Sequence, residues 1–171
     1  MLNLPKIKDM ENQDNIFQKL CPCGCFNSFK NQEVDFIKEY EHWFLILNHE
    51  QGFLGRSILI LKNHKTDERE LTNEEALEKH TLYCLWREAI TKAFNPDKIN
   101  QAQLGNEEHV HNGHLHWHFV PRYRRPIYFF GLEFQSDTPE TQKLIFSSVR
   151  DKTIHSTELR IKIKEELLKY L

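Results

Sequence analysis

The heptapeptide HLHWHFV, residues 114–120, constrains the local fold more than any other part of the sequence. Successive side chains of an extended strand point to opposite faces of a sheet. The alternation therefore places three imidazoles, those of His114, His116 and His118, on one face. The large apolar residues between them would anchor the strand in a core, so the histidine face is predicted to be rigid.

Length and charge place the chain among globular proteins of one domain. Its 171 residues are enough to bury a substantial core. Lys and Arg number 23 against 25 Asp and Glu, a net charge of -2, so we expect neither general nucleic-acid binding nor attraction to acidic membranes. No long apolar segment or cleavage pattern occurs, and a cytoplasmic protein is expected.

Apolar periodicity and turn residues predict an antiparallel α+β domain with one long helix. Thr72 and Glu75 have the spacing of a capping box at the start of that helix. The predicted elements are strands over 43–48 and 56–63, the helix ending before Pro96, a strand ending at Gly105, the histidine strand ending near Pro121, an extended piece over 126–134, and helices from Pro139 onward.

This pattern divides the chain into three parts. Residues 1–20 are predicted to be an N-terminal tail and 21–135 the folded domain. Residues 136–171 are predicted to be a helical C-terminal extension that packs on the domain or on a dimer partner.

Two chemistries can use three imidazoles on one face. Zinc, iron and copper accept imidazole ligands, and His-x-His on a strand presents two nitrogens to one ion. Alternatively, an imidazole with an ordinary pKa of about 6.5 attacks an electrophilic phosphorus while its neighbours donate hydrogen bonds to the phosphoryl oxygens. The residues alone leave both open.

The segment KINQAQLGNEEHVHNGHLHWHFVPRY resembles the histidine triad (HIT) family. The family signature is His-φ-His-φ-His-φ-φ, with φ apolar, and residues 114–120 fill every position, followed by Pro121 and Arg122. The likeness extends upstream to about Phe36 and covers roughly 90 to 100 residues. It implies a HIT-like antiparallel sheet with a long helix, commonly a homodimer, acting as a nucleotide hydrolase or nucleotidyl transferase.

The resemblance also assigns roles to the three histidines. His116 is implied to be the nucleophile, which attacks the α-phosphate and forms a nucleotidyl-histidine that water hydrolyses. His118 would bind a non-bridging phosphate oxygen or assist the leaving group, and His114 would orient His116 or hold the strand. This reaction needs no cofactor.

Four residues are implied to bind the substrate: Asn48, Asn100, Asn106 and Arg122. Each asparagine is also an ordinary residue for a turn or a strand end. Arg122 shares the histidine face only if the strand continues unbroken through Pro121, and proline inside a strand makes that uncertain.

The chain departs from the family pattern at two places. Many relatives carry a histidine after the glycine that precedes the second strand, whereas this chain has Arg56 after Gly55. Relatives also often carry Ser or Gln shortly before the triad, where this chain has HVHNG, residues 109–113. The contacts to the leaving group therefore cannot be transferred from the family.

Some HIT-like proteins hold a structural zinc near the N-terminus. The counterpart here is a set of two thiols and two imidazoles, Cys21, Cys25, His64 and His114, although CPCGC lacks the usual Cys-x-x-Cys spacing. With zinc bound, His114 would be a ligand and not a catalytic orienting residue.

Three functions follow from these observations. The first is a nucleotide phosphoramidase or dinucleoside polyphosphate hydrolase. The second is a metal-binding protein or metal-dependent enzyme that uses the His114, His116 and His118 face directly. The third is a nucleotide-binding protein with poor turnover.

Overall fold

In a computed structural model of the chain, residues 25, 32–104, 113–134, 136–139 and 155–171 are described. Their elements in chain order are α1 (Gln32–Asp35), β1 (Phe36–Glu39), β2 (Trp43–Leu47), β3 (Ser57–Leu61), a 3-10 turn (Glu68–Glu70), α2 (Asn73–Phe94), β4 (Lys98–Ala102), β5 (His116–Arg122), β6 (Ile127–Phe129), β7 (Leu132–Phe134) and α3 (Thr157–Leu168). Helices and an antiparallel sheet occur in one chain, so the predicted α+β class is confirmed.

The main sheet has five strands in the order β1-β2-β3-β5-β4, and every neighbouring pair is antiparallel. Strands β2 and β3 form its centre, and all ten of their residues are buried. Alternate residues of these strands contribute to two different hydrophobic clusters, one on each face of the sheet. The continuous apolar runs of β2 and β3 therefore reflect a sheet that is covered on both sides.

Helix α2 covers the face opposite the histidines. The Thr72 hydroxyl accepts from the Glu75 amide and the Glu75 carboxylate accepts from the Thr72 amide, which confirms the predicted capping box. The helix ends at Asn95, in the left-handed conformation before Pro96. Trp86 is fully buried against the sheet, and its indole N–H donates to the Ser57 hydroxyl at 3.0 Å.

The turn between β2 and β3 requires glycine at position 55. Gly55 has φ +83°, and a Cβ there would lie 2.3 Å from Cδ1 of Ile90 on α2. Backbone and helix approach each other closely at this point, so the turn leading into β3 is held against α2.

The C-terminal helix α3 packs on the same core. Leu159, Ile163 and Leu167, spaced by four residues, all lie in the cluster that contains α2 and the sheet. The earlier part of the predicted helical extension, 140–154, and the N-terminal tail lie outside the described residues. Among the described residues, no helix combines the length and apolar character needed to cross a membrane.

Several elements differ from the sequence expectations or settle a point that these left open. Helix α1 was not predicted, and β4 ends at Ala102, before the predicted end at Gly105. Strand β1 was not predicted, because it is only four residues long and carries an irregularity between Phe36 and Lys38. The extended piece after β5 is a separate hairpin, β6–β7. Strand β5 continues through Pro121. Proline is tolerated there because β3 pairs with β5 only as far as Phe119, and among the described strands β4 alone pairs with β5 at Pro121.

Candidate active site and metal-ligand cluster

Strand β5 holds His116 and His118 on one face of the sheet. His116 lies opposite Ile60 and His118 opposite Ile58, and both histidines are partly exposed. Their rings are in edge contact, with centroids 5.0 Å apart. The two imidazoles form an adjacent, solvent-accessible pair.

The apolar residues of the same strand fix that pair from behind. Trp117 and Phe119 are buried in the core on the α2 side. The Trp117 ring packs edge-on against Trp43, and the Phe119 ring packs against Trp86. Four aromatic rings thus hold the backbone of the histidine strand, as the alternation predicted.

His114 lies just before the strand, because β5 begins at His116. The expectation that all three histidines belong to one strand is corrected in this respect. The His114 side chain is buried, and its Nε2 lies 2.6 Å from the carbonyl oxygen of Leu61. A carbonyl oxygen only accepts, so Nε2 carries the proton and the lone pair of neutral His114 is on Nδ1.

One hydrogen bond sets the tautomer of His116. Its Nδ1 lies 2.8 Å from the carbonyl oxygen of His114, so Nδ1 is the protonated donor. The lone pair of neutral His116 is therefore on Nε2, the ring nitrogen with nucleophilic character in this tautomer. His114 orients His116 through its backbone and not through its imidazole.

The side chains of Cys25, His64 and His114 converge to form a second group, which we call the ligand cluster. Their ligating atoms all lie within 4.8 Å of one another. The His64 and His114 Nδ1 atoms are 3.1 Å apart, and Cys25 Sγ is 3.3 Å from His64 Nδ1. Tetrahedral zinc, with bonds of about 2.0–2.3 Å, requires ligand separations of roughly 3.3–3.8 Å.

The surroundings of the ligand cluster also suit a metal ion. Metal-bound histidines commonly donate their other ring N–H to a carbonyl, which is what His114 does to Leu61. Burial raises the pKa of the Cys25 thiol. A bound cation would reverse that effect, because a coordinating thiol is deprotonated.

The structure brings together three of the four predicted zinc ligands. Cys25, His64 and His114 are those three. Cys21, the predicted fourth, lies outside the described residues.

The three predicted substrate-binding asparagines have different positions. Asn48 is buried at the end of β2, and its side-chain oxygen accepts from the Glu50 amide at 2.9 Å, so it caps the following turn. Asn100 lies on β4 opposite Val120, on the face that carries His118. Asn106 lies outside the described residues.

Arg122 lies on the histidine face because β5 is unbroken, but it is remote from His116 and His118. It lies four positions along the strand from His118, about 13 Å away. It is buried in an ion pair with Asp137, and its guanidinium lies over the Phe53 ring. These contacts give Arg122 a structural role at the end of β5, and its substrate role stays a prediction. Burial lowers the pKa of its guanidinium.

Sequence reasoning missed two buried acids that contact basic residues at this face. Glu50 lies 3.8 Å from the Arg56 guanidinium, and Asp137 pairs with Arg122. No periodicity marks either acid, since both lie in loops. Burial of an acid in a loop is visible only once the fold is known.

Comparison by sequence identifies no relatives: no family model matches the chain, and no curated protein matches it. Comparison by structure identifies similar proteins. A Hit-like protein from Bartonella henselae is 18% identical, with a TM-score of 0.58 over 94% of this chain and 98% of the other.

Two further solved structures are similar. A zinc-bound histidine triad family protein from Mycobacterium smegmatis is 16% identical, with a TM-score of 0.53 over 90% of this chain and 94% of the other. Diadenosine triphosphate hydrolase from Plasmodium falciparum, in complex with cyclomarin A, is 14% identical, also with a TM-score of 0.53, over 90% and 95% of the two chains. Together with the filled signature at residues 114–120, these likenesses show that the chain has the histidine triad fold.

Proposed function

We propose that the chain is a nucleotide-binding hydrolase of the histidine triad type. It would cleave a nucleoside 5'-phosphoramidate or a dinucleoside polyphosphate at the α-phosphate. The observation that carries the proposal is the hydrogen bond from His116 Nδ1 to the His114 carbonyl, which leaves the lone pair on Nε2 of a partly exposed imidazole. The similarity to a diadenosine triphosphate hydrolase supports it.

The first chemical step uses His116. Its Nε2 lone pair forms a bond to the α phosphorus while the bond from phosphorus to the leaving group breaks, and the electron pair departs with that group. An amine leaving group takes up a proton from solvent as it departs, and the water that attacks in the second step returns one. The Nδ1–H stays hydrogen-bonded to the His114 carbonyl and stabilises the positive charge that develops on the ring. Water then attacks the phosphorus of the nucleotidyl-histidine and releases His116.

His118 serves the phosphoryl oxygens in this proposal. Its ring is in edge contact with His116, so a phosphorus at His116 Nε2 has His118 beside it. A donor at that distance stabilises charge on a non-bridging oxygen, a contribution of about 10²- to 10³-fold in rate for a well-placed donor. Phe119 and Trp117 keep the strand from shifting as charge develops.

The test is release of AMP from adenosine phosphoramidate and from a diadenosine polyphosphate, with EDTA present. The wild type is expected to turn over at least one substrate, and His116→Asn is expected to lose turnover. His80→Asn, at an exposed position of α2, is the matched control and is expected to keep it. An active His116→Asn protein contradicts the proposal, and so does a wild type that remains folded in EDTA by circular dichroism yet turns over only with added metal.

The EDTA arm also addresses the alternative of a metal centre on the three-histidine face. Among the described residues, the group that converges on one point contains His114 with Cys25 and His64, and neither His116 nor His118. This arrangement favours phosphoryl chemistry at His116 over a three-histidine metal site.

We further propose a structural zinc held by Cys25, His64 and His114, with Cys21 as the fourth ligand. Zinc bound there supplies a cross-link that fixes the segment before β5 to the N-terminal part of the chain. The separations in the ligand cluster and the zinc-bound protein of the same fold support this.

Metal content measured by mass spectrometry tests the zinc proposal. The wild type is expected to carry about one zinc per chain. Cys25→Ser is expected to lose it, and Cys84→Ser, an exposed cysteine on α2, to retain it. Equal zinc in both variants, or none in the wild type, would refute the assignment.

The homodimer and the cytoplasmic location that the sequence suggests stay predictions. Light scattering on the eluting protein measures the first, and cell fractionation the second.

A further inference from the structure

Arg56 lies on the histidine face next to the reacting pair. It directly precedes β3, where Ser57 lies opposite Phe119 and Ile58 opposite His118. Continuing this register by one residue places Arg56 opposite Val120. Arg56 and His118 are then diagonal neighbours on one face, with Cβ atoms about 7–8 Å apart, a separation that an arginine side chain spans.

The backbone of Arg56 is fixed by the turn that precedes β3. Its carbonyl accepts from the Asn48 amide at 2.9 Å and from the Gln51 side-chain amide at 2.8 Å. Its own amide donates to the Phe53 carbonyl at 3.0 Å. Three hydrogen bonds therefore hold the point from which the side chain extends.

The Arg56 side chain is a largely buried cation. Only 14% of it is exposed, and its Nη1 lies 3.8 Å from Oε2 of Glu50, whose side chain is 10% exposed. His49 lies on the other side of Glu50, with its Nε2 3.9 Å from Oε1. The 3.8 Å separation is longer than the 2.7–2.9 Å typical of a charge-assisted hydrogen bond, so Glu50 orients the guanidinium without a direct fork-to-fork contact.

We propose that Arg56 binds a phosphate group of the substrate beyond the phosphorus attacked by His116. This inference rests on the proposed function and specifies its substrate class. A guanidinium matches phosphate oxygens with paired donors and carries its charge at every physiological pH. The preferred substrates are therefore nucleotides whose leaving group contains phosphate, such as dinucleoside polyphosphates, over phosphoramidates that release an uncharged amine.

The role in the reaction follows from charge. When His116 Nε2 bonds to the α phosphorus, the bond from that phosphorus to the bridging oxygen breaks and the electron pair leaves with the oxygen. The departing phosphate then carries additional negative charge, which Arg56 stabilises. Glu50 acts as a positioning residue, since it holds the guanidinium near the face.

The first test compares kcat/KM for diadenosine tetraphosphate and for adenosine phosphoramidate. Arg56→Gln is expected to lower the polyphosphate value about 10- to 100-fold, the effect of losing one hydrogen-bonded charge, and to change the phosphoramidate value far less. Arg56→Lys, which keeps the charge and loses the paired donors, is expected to lie in between. Arg124→Gln, an exposed arginine after β5, is the matched control and is expected to match the wild type.

The second test measures binding and needs no turnover. Calorimetry is expected to show that the wild type binds ADP at least 10-fold more tightly than AMP, and that Arg56→Gln removes most of this difference. If the wild type binds both equally, the inference is overturned, whether or not the variant folds.

The two tests separate this inference from the proposed function. A wild type that hydrolyses both substrates, with Arg56→Gln lowering both equally, leaves the hydrolase standing and makes Arg56 structural. A wild type that hydrolyses neither substrate but prefers ADP in an Arg56-dependent way removes the hydrolase and keeps the phosphate site.

Discussion

Replacing Arg160 by methionine is expected to destabilise the protein in a pH-dependent way. Arg160 of α3 forms an ion pair with Asp35 of α1, and their side chains are only 3% and 7% exposed. Methionine fills much of the arginine volume but supplies no charge. Asp35 would then be a buried carboxylate without Arg160, although Lys164 would still lower its pKa.

The pH dependence follows from the pKa of Asp35. Burial raises it to about 6, because desolvation outweighs the attraction of Arg160. Between about pH 4 and pH 6, Asp35 in the folded protein thus holds a proton that it has released in the unfolded chain, where its pKa is about 3.9. In the wild type this group's contribution to stability is greatest below about pH 4, falls by roughly 3 kcal/mol as pH rises to about 6, and is constant above that.

Arg160→Met removes the attraction that lowers this pKa, so the pKa rises further. At pH 8 the variant must either bury the ionised Asp35 carboxyl without Arg160 or protonate it at a pH above its pKa. The expected cost is about 3–5 kcal/mol in the free energy of unfolding. At pH 5 the carboxyl is protonated in both proteins, and the cost falls to about 1–2 kcal/mol, that of a lost hydrogen bond.

Urea unfolding at pH 5 and pH 8 measures both values. The double variant Asp35→Leu/Arg160→Met is the control, since replacing both charges by apolar groups is expected to recover most of the stability at pH 8. An equal cost at the two pH values, or a double variant no more stable than Arg160→Met, would refute the reasoning.

Two further predictions concern the turn before β3 and the start of α2. Gly55→Ala is expected to lower the free energy of unfolding in urea by about 2–4 kcal/mol, because of the positive φ and the clash with Ile90. Gly131→Ala is the control, with φ +76° and open space around it, and should cost about 1–2 kcal/mol. Equal losses in the two variants would contradict a clash at Gly55. Thr72→Ala is expected to cost about 1 kcal/mol by removing the N-cap, and Thr81→Ala, exposed within α2, should show little loss by the same measurement.

The elements that the sequence predicted are those with long, regular patterns. The apolar runs of β2 and β3, the capped helix α2 and the alternation in β5 each specify one local structure through side-chain periodicity. Strand β1 has four residues and an irregularity, so its existence depends on pairing with β2 and not on its own pattern. The same holds for α1, whose Asp35 is buried by a helix more than a hundred positions later.

The candidate site was predictable in part for the same reason. Local alternation places His116 and His118 on one face, and the family resemblance names Cys25 and His64 as partners of His114. The pairing of Glu50 with Arg56 depends on how a loop folds over the sheet. Contacts between residues of an irregular connection leave no periodic signal.

The position of His114 explains how one short segment serves two sites. Its imidazole presents Nδ1 to the ligand cluster and donates through Nε2 to Leu61, while its carbonyl accepts from His116. These are different atoms, so a metal ion bound at His114 Nδ1 does not compete with the hydrogen bond that sets the His116 tautomer. In the part of the chain that the structure describes, the ligand cluster is linked to His116, the proposed nucleophile, through the backbone at residue 114. A bound metal would fix that carbonyl without entering the proposed reaction.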